Sequence, residues 1–371
     1  MQFEMIHVVF RNCCLIGETM SANFGVWWCG PAAPAILVLG LFWGFVGPSA
    51  QEAQFFRIGA AATSGTFFEV GGVIASAISK PAGSPACEHG GSCGVPGLVA
   101  VTQATRGSVD NLRMIAAGQI ESGIAQSDIV SWGYAGTGIF AADGPMKQLR
   151  AIASLFPENV QLVVRGDSSI RTVADLKDKH ISLGQMGSGT LADARVLLAA
   201  AGLTEKDIKV EYLRPGVAAA NIKDGTLDGF FLIGGVPVPA IRELAATTPI
   251  RLIPIDVDIL SKMRESSSSY RRSVIPPGAY QGVDTETPSI GLNALWIVSA
   301  EVSDDLIYAI TKALWNEATE RLLEAHNAIG KQVRLKNALD GLSVPLHPGA
   351  RRFYREAGLP VDDDGAIGKR D

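Results

Sequence analysis

Five short runs of glycine and small polar residues are the positions here best suited to holding a charged ligand. They are Thr63-Ser-Gly-Thr66, Arg106-Gly-Ser108, Gln126-Ser-Asp128, Gly187-Ser-Gly-Thr190 and Gly234-Gly-Val-Pro237. Serine, threonine and aspartate cap helix N-termini, and glycine lets backbone approach a ligand closely. The first N–H groups of a helix lack intrahelical acceptors and carry partial positive charge, so such an end favours an anion. One such run is ordinary capping chemistry. Five at the same edge of a sheet would form a polar cleft.

Patterns for bond-making chemistry are absent from the sequence: it has no Walker A loop, no HExxH and no GxSxG elbow. Ser188 sits in Gly184-Gln-Met-Gly-Ser-Gly189, whose glycine spacing is wrong for a nucleophile elbow. Gly133-Tyr-Ala-Gly-Thr-Gly138 follows a helix start rather than a strand, and reads as a helix end and turn, not a dinucleotide site. Cys87, His89 and Cys93 leave two readings open. The two cysteines can close a small disulfide loop in an oxidising compartment, or all three residues can ligate a metal, although no nearby fourth ligand completes that set. The disulfide is the expectation, with no metal and no cofactor.

The elements that must position these runs follow from periodicity. From Phe55 onward, short β-type stretches alternate with longer helical ones, the pattern of an α/β fold with a mainly parallel sheet. Strands are predicted at residues 55–60, 98–103, 122–126, 149–156, 160–165, 180–184, 208–212, 227–233, 250–255 and 289–299. A long amphipathic helix is predicted over 304–328. In open α/β sheets ligands lie outside the carboxyl ends of the strands, where the five runs fall.

Length and composition agree. The 371 residues are 47% hydrophobic with a net charge of -5, enough for a sizeable core of two domains or lobes, and without the basic clusters that nucleic acid or anionic membranes require. The apolar run Ala35–Gly47 is shorter than the roughly 20 residues that span a bilayer, and Ser49 and Ala50 follow it. Residues 1–50 therefore read as a signal peptide cleaved after Ala50, or alternatively as an anchor, since Arg11 is the only basic residue before the run and Met20 offers another start. Cleavage removes Cys13, Cys14 and Cys29 and leaves one cysteine pair in a periplasmic protein.

Several stretches resemble the extracytoplasmic solute receptors of TRAP transporters, of the TAXI type. They are Ile58–Phe68, Gly107–Leu112, Ile124–Asp128, Ile170–Lys177, Ile181–Thr190, Leu227–Gly235 and Pro276–Tyr280, in the family's order. The resemblance implies a periplasmic-binding-protein fold: two α/β lobes joined by crossing strands near Pro157 and Ser289, closing on a ligand like a hinge. Lobe 1 would comprise residues 51–157 and 289–371, and lobe 2 residues 158–288. It also implies a small organic acid or amino acid as ligand, integral membrane TRAP subunits as partners, and binding rather than catalysis. Phe67 and Phe68 stand where the family often carries tyrosines, and Arg106 where it commonly has a small residue.

Within that frame Gly187, Ser188, Gly189 and Thr190 are expected to cradle the ligand's anionic group, with Thr66, Ser108 and Asn111 opposite. Gln126, Ser127 and Asp128 would bond its polar groups, the carboxylate by accepting from an ammonium. Phe67, Phe68 and Trp132 would form apolar walls, and Arg106 and Arg165 are further candidate carboxylate partners. An enzyme on the same scaffold and a sensor input module are the rival readings.

Overall fold

A computed structural model describes residues 53–361. The leader and its expected cleavage point lie outside the described residues.

Among the described residues, ten strands form one mixed sheet. The first half is β4 (Leu98–Gln103), β1 (Gln54–Gly59) and β5 (Ser122–Gln126), all parallel. The second half has β9 (Gly229–Gly234), β7 (His180–Ser182) and β8 (Lys209–Glu211), also parallel to one another. Two long antiparallel strands join the halves: β6 (Leu149–Arg165) and β12 (Thr287–Ser299). The start of β6 pairs with the end of β12, while its Asn159–Val164 stretch pairs with β9 and its last residues with β10 (Ile250–Ile253). The end of β12 pairs with β5, and its start with β11 (Arg271–Ile275). Two small strands, β2 (Ser79–Lys80) and β3 (Val95–Pro96), pair separately. This is the two-lobed α/β architecture of periplasmic binding proteins, with both connections made by continuous strands.

Two expected strands, 149–156 and 160–165, are thus one 17-residue strand passing straight through Pro157. The proline is tolerated because β6 crosses there from one set of partners to another. β6 is buried along nearly its whole length, as a strand covered on both faces must be.

The helices pack on the sheet's two faces. Lobe 1 carries α1 (Thr66–Ile78), α2 (Ser108–Ala116) and α3 (Ser127–Ala135), and lobe 2 carries α4 (Gly189–Ala200), α5 (Pro215–Lys223), α6 (Pro239–Ala245) and α7 (Val257–Met263). α3 ends at Gly136 in a left-handed conformation, the helix end and turn expected there. The predicted long C-terminal helix is two: α8 (Asp304–Leu314) stops, Asn316 accepts from the Thr319 N–H, and α9 (Glu317–His326) starts afresh. An Asn side chain that caps a new helix outweighs continued periodicity. α10 (Pro348–Glu356) packs back on α8. Cys87 and Cys93 form a disulfide with Cα atoms 4.8 Å apart.

Candidate functional site

Four helices begin at one place between the lobes. α1 and α2 come from lobe 1 and α4 and α5 from lobe 2, and their first residues line a common chamber of about 50 Å³. For α1, α2 and α4 the sequence reason is the same: a strand runs out at the cleft edge, and a small residue, Gly65, Gly107 or Ser188, turns the chain into a helix. α1 starts after Gly65 and α2 after Gly107, and neither has a side-chain cap. The first N–H groups of α1, and those of Ser108 and Val109 in α2, are therefore left for water or a ligand, whereas Asp110 N is taken by Gly187 O. α4 is capped by Ser188, whose hydroxyl accepts from Leu191 N at 3.1 Å, and α5 begins at Pro215, which needs no partner for its nitrogen.

The lobes touch around this chamber. Asp110 N donates to Gly187 O at 3.0 Å, Gln185 Nε2 to Arg106 O at 2.8 Å, and Ala240 N to Ser64 O at 3.1 Å. Two glycines allow the approach. A Cβ on Gly107, whose φ is +117°, would lie 3.3 Å from Ser188 Cα, and one on Gly189 would lie 1.5 Å from Gln126 Oε1. The chamber has room for a few water molecules, and with the lobes in contact around it a larger molecule needs them to part. A wider groove of about 540 Å³ adjoins it, sharing Ala62 and Arg106 and adding Arg214.

Seven of the predicted site residues line the chamber: Thr66, Phe67, Ser108, Gln126, Ser188, Gly189 and Thr190. Thr190 Oγ1 accepts from Ile233 N at 3.2 Å and Thr66 Oγ1 from Gly235 N at 3.3 Å, so both hydroxyls keep a proton to donate. Ser108 Oγ accepts from Gln126 N and donates to Gln126 Oε1, both at 3.2 Å. Phe67 lies edge-on to Phe156 and forms an apolar wall.

Six other predicted residues sit elsewhere. Asn111 is a structural tie: its Nδ2 donates to the carbonyls of Gly59, Ala60 and Ile124, and Thr105 Oγ1 donates to its Oδ1. Phe68 packs on the core. Ser127 Oγ accepts from Asn293 N, locking α3 to β12. Trp132 Nε1 donates to Ser266 O beside a separate cavity of about 500 Å³. Gly187 lies just outside the chamber with φ +86°. Asp128 is fully buried behind the chamber. Arg165 is far from the cleft and pairs with Asp167 on the surface.

Sequence reasoning missed the residues that close the chamber from lobe 2: Gln185, Leu213, Pro215 and Phe231 to Ile233. Pro215, a proline at the start of a helix after a strand, was the available signal. Behind the chamber, Gln126 Nε2 donates to Asp193 Oδ2 at 2.7 Å, and Tyr270 Oη lies 2.7 Å from Asp193 Oδ1 and 3.1 Å from Asp128 Oδ2. Glu158 is also buried there, with neither carboxyl oxygen hydrogen-bonded. Burial, and then the charge of Asp128, push the Asp193 and Glu158 carboxyls well above the usual carboxylate range, and burial raises Asp128 too.

The chamber lining includes Arg106 and no carboxyl, imidazole or thiol. Among the described residues no cluster of histidine, cysteine and acidic side chains could hold a metal, and no helix is long and apolar enough to cross a membrane.

Comparison with solved structures returns binding proteins at low identity. The alkanesulfonate-binding protein SsuA of Xanthomonas axonopodis pv. citri, bound to MOPS, is 19% identical over 83% of this chain and 81% of that one, with a TM-score of 0.43. The periplasmic aliphatic sulphonate binding protein SsuA of Escherichia coli is 17% identical over 83% and 80%, with a TM-score of 0.40. PhnD1 of Prochlorococcus marinus, in complex with methylphosphonate, is 10% identical over 82% and 99%, with a TM-score of 0.45. Similarity this low says nothing of ligand. The comparisons do not single out the TAXI type. Residues 58–358, however, match one family over most of the chain, and this protein belongs to the NMT1-like family.

Proposed function

We propose that the chain is an extracytoplasmic solute receptor that closes its two lobes on the anionic group of a small carboxylate and delivers it to a membrane transporter. The observation that carries this reading is the meeting of four helix N-termini at one chamber, two of them without side-chain caps. Helix ends favour anions by about 0.3 to 2 kcal/mol, and hydrogen bonds to a charged group contribute about 1.5 to 3 kcal/mol each. The spare protons of Thr190 and Thr66 add donors from opposite lobes, so the ligand stabilises closure. A lining whose hydroxyls have no carboxyl or imidazole base among them suits capture better than turnover.

The lobe boundaries read from the sequence, residues 51–157 with 289–371 and residues 158–288, suit this hinge, because β6 and β12 each change partners between the halves. Glutamate, 2-oxoglutarate and succinate are the first acids to test, and TRAP-type membrane subunits of the TAXI kind are the proposed partners on the strength of the sequence resemblance. The test is calorimetry with those three acids on wild type, Thr190→Ala and the exposed control Ser261→Ala. Clear binding to wild type and control with weakened binding to Thr190→Ala supports the reading. Binding that is indifferent to Thr190 places the anion elsewhere, with Arg106 in the wider groove as the next candidate.

A further inference from the structure

The acids behind the chamber come from both lobes. Asp128 lies on α3 of lobe 1 and Asp193 on α4 of lobe 2, both fully buried, and both carboxyls reach the same Tyr270 hydroxyl. Two buried carboxyls this close together favour a proton on one of them. Tyr270 cannot supply it: its single O–H sits between both groups, 2.7 Å from Asp193 and 3.1 Å from Asp128. Gln126 Nε2 gives Asp193 one further donor at 2.7 Å, and Gln126 itself lines the chamber. The pair therefore touches the ligand site through one side chain.

We propose that Asp128 and Asp193 form a proton latch: one proton, shared between the two carboxyls, is taken from solvent as the lobes close and returned as they open. Parted, each carboxyl meets water and ionises in the ordinary range near pH 3.9. Joined, two negative charges cannot both be buried at this distance, so closure and protonation go together.

The surroundings reinforce this. Glu158 on β6 is the nearest other acid and raises the Asp193 carboxyl further. Arg271 on β11 faces Glu158 and Asp340 rather than the pair, and Arg264 donates to Tyr270 O. On neighbouring helices Lys262 donates to Ala200 O, Arg195 pairs with Glu205, Arg113 pairs with Asp143, and Asp110 accepts from Arg106 N. β5, β9 and β12 present no ionisable side chain. No cation neutralises the pair from any of these elements.

The latch presumes the hinge closure of the proposed receptor, but its test needs no ligand. Ser64 on lobe 1 and Gly216 on lobe 2 are placed for an engineered disulfide, since a Cβ on Gly216 would lie 3.7 Å from that of Ser64. In the full chain carrying Ser64→Cys and Gly216→Cys, the equilibrium of that bond against glutathione reports how readily the lobes close. Below the thiol range, near pH 8.5, the thiol chemistry itself is flat with pH. The expected result is a fall in closure as pH rises above the ordinary carboxyl range, approaching tenfold per pH unit while the closed pair keeps its proton. Adding Asp193→Asn, whose amide donates to Asp128 without a titrating proton, should flatten the dependence, and Asp128→Asn should do the same as an independent check on folding effects. A flat response in the parent, or the parent's slope retained in both asparagine variants, overturns the latch. Either outcome leaves the anion-binding test untouched.

Discussion

The front and back of the interlobe contact are built from opposite materials. At the front, glycines, hydroxyls and helix N-termini make a small chamber with positive partial charge. At the back, along Gln126, three buried acids gather beside a tyrosine, and burial holds their carboxyls toward the protonated form. The front suits an anion from outside, and the back a proton. Because both are completed by lobe 2, one hinge motion assembles them together, and the difference teaches that closure here has an electrostatic cost at one side that must be offset at the other.

The largest effect should come from filling the front. Gly189→Val places atoms where Gln126 Oε1 now lies, so Gln126 must swing away from Ser108 and Asp193 or the lobes must move apart. Acid binding by calorimetry should weaken about a hundredfold or more, about 2.7 kcal/mol. Retained affinity would mean that closure does not pass through this contact. Next, Thr190→Ala removes one charge-assisted donor and should cost about 1.5 to 3 kcal/mol of binding, and the thermal midpoint should fall too, because the buried Ile233 N–H loses its acceptor.

Away from both regions, reducing the Cys87–Cys93 bond should lower stability to denaturant by about 2 kcal/mol on the chain-entropy view of a short loop, and leave acid binding as it was. An effect on binding would tie that loop to the cleft. The last change concerns the back and is the smallest when read per pH unit. A carboxyl raised above its unfolded value contributes stability that is fully present below the unfolded value, near pH 3.9, and is lost as pH rises through the folded one. Each such group adds a fall of about 1.4 kcal/mol per pH unit within that window. Asp193 is raised by burial and by Asp128, so Asp193→Asn should flatten the wild type's loss of unfolding free energy between the ordinary carboxyl range and neutrality.

The two regions also differed in how far the sequence revealed them. The front was legible because capping is local: Gly65 and Thr66, Gly107 and Ser108, and Ser188 to Thr190 sit beside the strands they follow. Gly/Ser/Thr chemistry identified five of the seven predicted chamber residues. It failed for Ser127, which sits next to Gln126 but faces β12, and for Asn111, one turn on from Ser108, whose amide is taken up by the carbonyls of Gly59, Ala60 and Ile124. The back was not legible. Asp128 drew notice as a ligand contact, but its partners Asp193 and Tyr270 lie far along the chain, and neither sits in a motif. The alternation of strands and helices gave the architecture, yet the continuous crossing of β6 through Pro157 depends on which strands lie beside it, a tertiary matter.

The central claim is that the front chamber holds a small organic anion. Mass spectrometry of what is released when freshly purified protein is denatured tests it most directly, with wild type and Gly189→Val prepared side by side. The account predicts a small carboxylate released from wild type and missing from the variant. A cation or an uncharged sugar from wild type, or the same acid in equal amount from both proteins, would contradict it.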